Sequence, residues 1–246
     1  MKKIELSRKS YTALNRHSLT SLISNTVESN AEQVCLASIN MHALAVLRKD
    51  PLFSKYYEQT NYIYLDGMPI IWMLKLLGVQ IGSDYRITVL DWHKDFFKLA
   101  NRKHFTVAML GGQKSVVNKA SDRLRAQFDQ VTFLPHHGYI NYDEVPEFLI
   151  NTQVDVLLVG MGMPKEEIWI LRNASKLNVK VIIPVGGYFD YVAGETYTPP
   201  RWSGRIGLEW LFRLFSSPKR LTHRYFIEPW PVLLDFLKEL KSNERT

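Results

Sequence analysis

Short apolar runs alternate along most of the chain with stretches whose apolar residues recur at three- and four-residue spacing. The runs Val34–Ile39, Tyr62–Leu65, Phe105–Leu110, Val131–Leu134, Val154–Val159 and Val179–Val185 read as strands. Helical patterns fall between them, near Met41–Lys49, Pro69–Leu77, Leu90–Asn101, Ser115–Gln127, Asp143–Asn151 and Lys165–Leu177. Pro69 and Pro164 suit helix starts, where a missing N–H is harmless. This alternation predicts an α/β fold: a Rossmann-like, mostly parallel sheet with helices on both faces.

After Asp190 the strands stop. Thr198-Pro199-Pro200-Arg201-Trp202 reads as a joint, followed by helices near Gly204–Phe215, Pro218–Ile227 and Pro231–Lys241. The expected division is an α/β domain over 1–196 and a C-terminal helical appendage over 197–246.

Charge sharpens that division. The 246 residues carry a formal +7. Arg201, Arg205, Arg213, Lys219, Arg220 and Arg224 face one acid, Glu209, so this short segment holds +5 of it. Trp202, Trp210, Phe212 and Phe215 lie among these cations. Arginine forks suit a diphosphate, and aromatic–basic mixtures suit a membrane interface. A helical pack with a solvated basic face is the plainer alternative. No run reaches the roughly 18 apolar residues of a spanning helix, and the N-terminus lacks the apolar core of a secretory signal. The single cysteine, Cys35, sits in an apolar run that suits a buried strand and a reducing compartment.

In open α/β sheets ligands bind beyond the carboxyl ends of the strands. Ser38 and Asn40 follow the first expected strand, Asp66-Gly67 the second and Gly111-Gly112 the third. His136-His137-Gly138-Tyr139 follows the fourth, Gly160–Glu167 the fifth and Gly186–Asp190 the sixth. Glycines there allow backbone amides to approach phosphate, or they serve only as tight turns. Gly111-Gly112-Gln113-Lys114 is neither a phosphate-binding P-loop nor a dinucleotide fingerprint. Asp66 suits a general base that takes a proton from a sugar hydroxyl, or else a helix N-cap. No metal-ligand motif is visible. Adjacent His136 and His137 are expected to point apart, and His17, His42, His93 and His104 have no recognisable partners.

On these residues the chain resembles the WecG/TagA/CpsF family, glycosyltransferase family 26. Ser38-Ile39-Asn40, Leu65-Asp66-Gly67, Leu110-Gly111-Gly112 and His137-Gly138-Tyr139 carry the likeness. So do Val154–Glu167, Val185–Gly194 and Pro200–Tyr225, above all Gly207-Leu208-Glu209-Trp210 with Arg213, Pro218-Lys219-Arg220 and Arg224-Tyr225. The resemblance implies an inverting transfer without metal or cofactor, from a UDP-sugar to a polyprenyl-diphosphate-linked sugar. The implied donor sugar is N-acetylmannosamine, its uronic acid or glucose. It also implies peripheral attachment to the inner face of the cytoplasmic membrane. By position, Asp66 is implied as the base, with Ser38, Asn40, Arg86, Thr88 and Asp91 around the acceptor. Gly111, Gly112, Tyr139, Gly162, Pro164, Lys165, Glu166, Gly186, Gly187, Phe189 and Asp190 are implied on the nucleotide-sugar side. Arg213, Arg220 and Arg224 are implied to close over the diphosphate.

Two positions depart from the family pattern. Glu166 stands where glutamine is usual, and a carboxylate there would repel a diphosphate, which directs it toward the sugar or base or toward a different donor. Val89-Leu90 replaces the common Gly-Ser before Asp91. The competing expectations are another Rossmann-like sugar-nucleotide enzyme and a non-catalytic membrane scaffold. No nucleic-acid motif accompanies the basic residues.

Overall fold

The computed structural model describes residues 3–6, 9–29 and 32–243. An antiparallel pair, β1 (Lys3–Leu6) and β2 (Lys9–Thr12), leads into α1 (Arg16–Glu28). Next come β3 (Val34–Ile39), α2 (Met41–Leu47), α3 (Pro51–Gln59), β4 (Tyr62–Leu65), α4 (Met68–Leu76) and α5 (Val89–Lys103). They are followed by β5 (Thr106–Gly111), α6 (Lys114–Arg125), β6 (Thr132–His136), α7 (Phe148–Asn151), β7 (Val154–Gly160) and α8 (Lys165–Asn173). The chain continues through β8 (Val179–Pro184), α9 (Tyr188–Ala193), α10 (Arg201–Arg205), α11 (Glu209–Ser216), α12 (Pro218–Phe226) and α13 (Pro229–Asn243).

β3 to β8 form one six-stranded sheet in the order β4-β3-β8-β7-β5-β6, every pairing parallel. Side chains alternate across it, as a strand's period of two requires. Leu157 and Val159 enter one core with Phe53, Ile70 and Trp169, while Val156 and Leu158 enter the other with Leu19, Phe96 and Val117. Helices therefore cover both faces, which is why these strands read as near-continuous apolar runs.

Two helices that the apolar pattern misses are marked instead by their local caps. α1 is announced by its cap: Asn15 accepts from the Ser18 amide and Ser18 answers the Asn15 amide. α3 starts at Asp50-Pro51, with Asp50 accepting from the amides of Leu52 and Phe53. The helix expected over Asp143–Asn151 shrinks to Phe148–Asn151. Pro146 interrupts it, and the preceding turn is held by Trp169 Nε1 donating to the Glu144 carbonyl and Asn173 Nδ2 to that of Tyr142. The helix expected over Gly204–Phe215 divides into α10 and α11, because Gly207 takes a φ of +80° that ends the first.

The helices after residue 196 pack against the sheet domain. Val232 and Phe236 of α13 join the core shared by α2 and α4. No helix among the described residues is long and apolar enough to cross a membrane.

Candidate active site

Parallel pairing brings the carboxyl ends of β3, β4, β7 and β8 to one edge, and α11 and α12 lie over it. Between them is a cavity of about 950 Å³ lined by Ser38, Asn40, Asp66, Thr88, Gly162, Glu166, Gly186, Gly187, Asp190, Arg213 and Arg224, among others.

Asp66 is fixed from its backbone outward. Its amide donates to the Ile39 carbonyl at 2.8 Å, extending the β3–β4 ladder past the strand ends. The N-cap of α4 is Gly67, at φ +97°, with no side-chain cap bond, so the carboxylate of Asp66 is not spent on capping. That removes the N-cap alternative. Asn40 is the neighbour that holds it. Asn40 caps α2 by accepting from the Ala43 amide at 3.0 Å through Oδ1, which turns Nδ2 toward Asp66 Oδ2 at 3.1 Å. Burial raises the carboxyl above its ordinary value, against the Asn40 hydrogen bond and the charges of Arg213 and Arg86. The result is a carboxylate with one oriented donor, standing at a cavity: the requirements of a general base.

Two arginines descend from the helices above. Arg213 of α11 pairs with Glu209 Oε1 at 2.5 Å; burial opposes its charge, and Glu209 with Tyr191 holds its pKa up. Arg224 of α12 lines the same cavity and has no ion-pair partner among the described residues; burial lowers its pKa. An arginine that is charged, sheltered and unpaired is suited to a bidentate anion. The side chain of Arg220 lies outside the described residues.

Arg86 and Asp91 are engaged otherwise. Arg86, with a side chain 6% exposed, donates to Asp91 Oδ2 and Glu209 Oε2, both at 2.6 Å. Arg201 binds Asp91 Oδ1, and Thr88 Oγ1 donates to Asp91 Oδ2 at 2.9 Å. A Cβ on Gly204 would lie 2.3 Å from Arg86 Nη2, so glycine there leaves room for the pair as it stands. This network ties α10 and α11 to the start of α5. Thr88 faces the cavity, whereas Asp91 faces its cations.

The glycine loops divide into two kinds. A Cβ on Gly111 would stand 2.2 Å from the Gly160 carbonyl, one on Gly138 2.7 Å from the Gly111 Cα, and one on Gly160 2.7 Å from the Phe189 ring. Gly111 and Phe189 thus have a packing role beneath the loops. Gly112, Tyr139, Pro164 and Lys165 also lie outside the cavity lining, and Tyr139 is exposed. Gly162, Gly186 and Gly187 do line it. Their amides are partly taken: Glu166 accepts from Met161 at 3.0 Å, Gly162 at 2.8 Å and Gly186 at 3.0 Å. Glu166 therefore staples the β7 loop to the β8 loop. Burial pushes its carboxyl up to about 7 against those three donors, and pushes the adjoining Glu167 well above the carboxylate range.

The histidines differ from expectation. His42 has a partner: its Nδ1 lies 2.6 Å from Glu228 Oε2, and burial with Arg224 lowers its pKa. His93 packs on Tyr188, ring centroids 5.6 Å apart. His136 and His137 lie ring against ring at 4.5 Å rather than apart. No group of three His, Cys, Asp or Glu side chains among the described residues could hold a metal ion. Glu209 and Tyr225 lie in the family-like stretches but were given no role at the site, and Glu228 and His42 were not expected there. The signal available for His42 was its place two residues beyond Asn40; Glu228 had none.

Three Staphylococcus aureus proteins, from strains MW2, NCTC 8325 / PS 47 and COL, are similar to this chain. Each is 28% identical over 166 residues, covering 67% of this chain and 65% of the relative. The chain thus spans somewhat less than two thirds of the length of these relatives. Each is named N-acetylglucosaminyldiphosphoundecaprenol N-acetyl-beta-D-mannosaminyltransferase. The model of the glycosyl transferase WecG/TagA/CpsF family matches residues 4–246, so the strand ends, the buried Asp66 and the overlying helices fall within one match, and the chain belongs to that family.

Proposed function

We propose that this chain transfers N-acetylmannosamine, or a closely related sugar, from a UDP-sugar to N-acetylglucosamine carried on a polyprenyl diphosphate. The observation that carries this reading is Asp66, oriented by Asn40 and unspent on capping, in a cavity that Arg213 and Arg224 enter from above. The names of the relatives support the choice of sugar and acceptor.

In the proposed reaction, Asp66 accepts the proton of an acceptor hydroxyl as that oxygen attacks the anomeric carbon. The new C–O bond forms on the face opposite the UDP, whose own C–O bond breaks, so the configuration inverts. UDP leaves with the bonding electron pair, and Arg213 and Arg224 stabilise that charge without a metal ion. Ser38, Asn40 and Thr88 border the acceptor; Gly162, Gly186, Gly187 and Asp190 border the donor. Glu166 serves the donor side indirectly, by holding two loops together. Residues 1–196 act as the catalytic domain. Residues 197–246 complete the site and rest on the inner face of the cytoplasmic membrane through their cations and exposed aromatics.

The test is a donor screen with purified protein and a soluble diphosphate-linked N-acetylglucosamine acceptor, with and without EDTA. Transfer from a UDP-N-acetylhexosamine that survives EDTA is expected. Bound nicotinamide or flavin with no transfer would favour an oxidoreductase. Inactivity with every donor, beside polymer synthesis that survives Asp66→Asn in cells, would favour a scaffold.

A further inference from the structure

A second cavity, of about 510 Å³, lies on the other side of Asp66 and is almost wholly apolar. Its volume is within the range of roughly 300–1,000 Å³ usual for small-molecule sites. Met68, Trp72 and Leu76 of α4 form one wall; Trp210, Phe226 and Leu233 of α11, α12 and α13 form the other.

α4 is unusual for a surface helix. Its sequence, MPIIWMLKL, has one polar residue, Lys75, where an outer helix face is normally polar. Ile70, Ile71 and Leu74 are buried in the core, yet the outer face presents Trp72 at 46% exposure and Leu76 at 67%. The Trp72 ring is held in place, because Gly207 leaves room where a Cβ would come within 2.4 Å of it. The groove is thus a built wall rather than a scatter of exposed apolar residues, which would need no explanation.

What occupies it is limited by what it joins. Asn40, Asp66, Arg213 and Arg224 line both the groove and the polar cavity. An occupant running from one to the other is apolar at one end and polar at the other, where it brings a hydroxyl to Asp66. A flat bilayer surface cannot meet both conditions in a concave channel; a single prenyl chain with a hydroxyl-bearing polar head can.

We propose that this groove seats the phosphate-proximal isoprenoid units of the acceptor's polyprenyl chain. The inference rests on the acceptor reading given above. It assigns Trp72 and Leu76 as residues that select for a prenyl tail, with Gly207 as a positioning residue for Trp72.

Two measurements on the full chain test it. The first compares kcat/KM for N-acetylglucosamine diphosphate bearing a one-isoprene tail with the same head on a longer prenyl tail. Wild type is expected to favour the longer tail. Trp72→Glu and Leu76→Glu should each reduce that preference about tenfold or more, as loss of one buried apolar contact implies. Ile150→Glu, an exposed apolar position remote from the groove, should preserve it. The second measurement is calorimetric binding of farnesyl diphosphate without donor or sugar. Binding to wild type that weakens in Trp72→Glu supports the groove even if no transfer is found, so the two readings fail separately. Equal use of both tails by wild type overturns the inference, as does a tail preference unchanged in both α4 variants. Loss of vesicle binding in Trp72→Glu with the tail preference intact also overturns it, and assigns the face to the bilayer.

Discussion

The two ends of the sheet's carboxyl edge are both rich in glycine, but they are built differently. At β5 and β6, Gly111 and Gly138 allow backbones to touch. At β7 and β8, Gly162 and Gly186 border a cavity, yet Glu166 already occupies amides of both loops. A phosphate-binding glycine loop needs free amides, and here Glu166 claims those of Gly162 and Gly186. The cations that can meet a diphosphate come instead from α11 and α12, distant in sequence and laid across the edge.

Removing the ion pairs that hold those helices in place breaks the comparison most severely. Glu209 accepts from both Arg86 and Arg213, with a side chain 11% exposed. Glu209→Ala is expected to cost about 3–5 kcal/mol in denaturant unfolding, the range for breaking a buried pair. A loss below about 1 kcal/mol, the worth of a surface pair, would show that the network does not clamp these helices.

Arg224→Ala tests whether the overlying helices do the anion binding. Transfer should fall about 10²–10³-fold, as for loss of one preorganised donor, while vesicle binding changes little, because Arg224 is sheltered in the cavity and even an exposed cation contributes only roughly 1 kcal/mol. Near-normal transfer in this variant would return the diphosphate to the loops.

The glycines themselves sharpen the contrast. Gly111→Ala would drive a methyl into the Gly160 carbonyl and should cost about 3 kcal/mol, at the upper end for overpacking. Gly162→Ala meets nothing within 4 Å and carries only the penalty of its φ of +83°, roughly 1–2 kcal/mol. Equal losses in thermal unfolding would erase the distinction between a packed edge and an open one.

The smallest effect is a pH slope. The Glu166 carboxyl stands at about 7 in the folded chain against an ordinary 4.5, so the folded form keeps its proton longer than the unfolded form. Its contribution to stability is full below 4.5 and is lost as pH rises to about 7. Glu166→Gln should therefore gain in Tm relative to wild type across that interval. A difference independent of pH would mean that Glu166 is a fully charged staple throughout.

Much of this was legible in the sequence, for identifiable reasons. The strands of the main sheet other than the edge strand β6 are largely buried on both faces, so each is an apolar run. Asn40 and Asp66 were found because they follow strand ends in an open sheet. The hairpin of β1 and β2 is short and polar and gave no such signal. Strand-end glycines could not be sorted, since Gly111 and Gly186 look alike until their neighbours are known. The clamp was hidden by distance: Arg86 meets Glu209 across 123 positions, and His42 meets Glu228 across 186. Periodicity and local motifs carry no information about pairs so far apart.

The central claim is that Asp66 acts on the acceptor as a base while the arginines hold the donor. It is tested most directly by measuring transfer rate and UDP affinity together in Asp66→Asn. The account predicts a rate lower by about 10²–10⁴-fold with UDP affinity essentially unchanged. It also predicts loss of an acid limb that in wild type inflects above the ordinary carboxylate pKa of 3.8. Near-normal turnover in Asp66→Asn, or a rate loss matched by an equal loss of UDP binding, would contradict it.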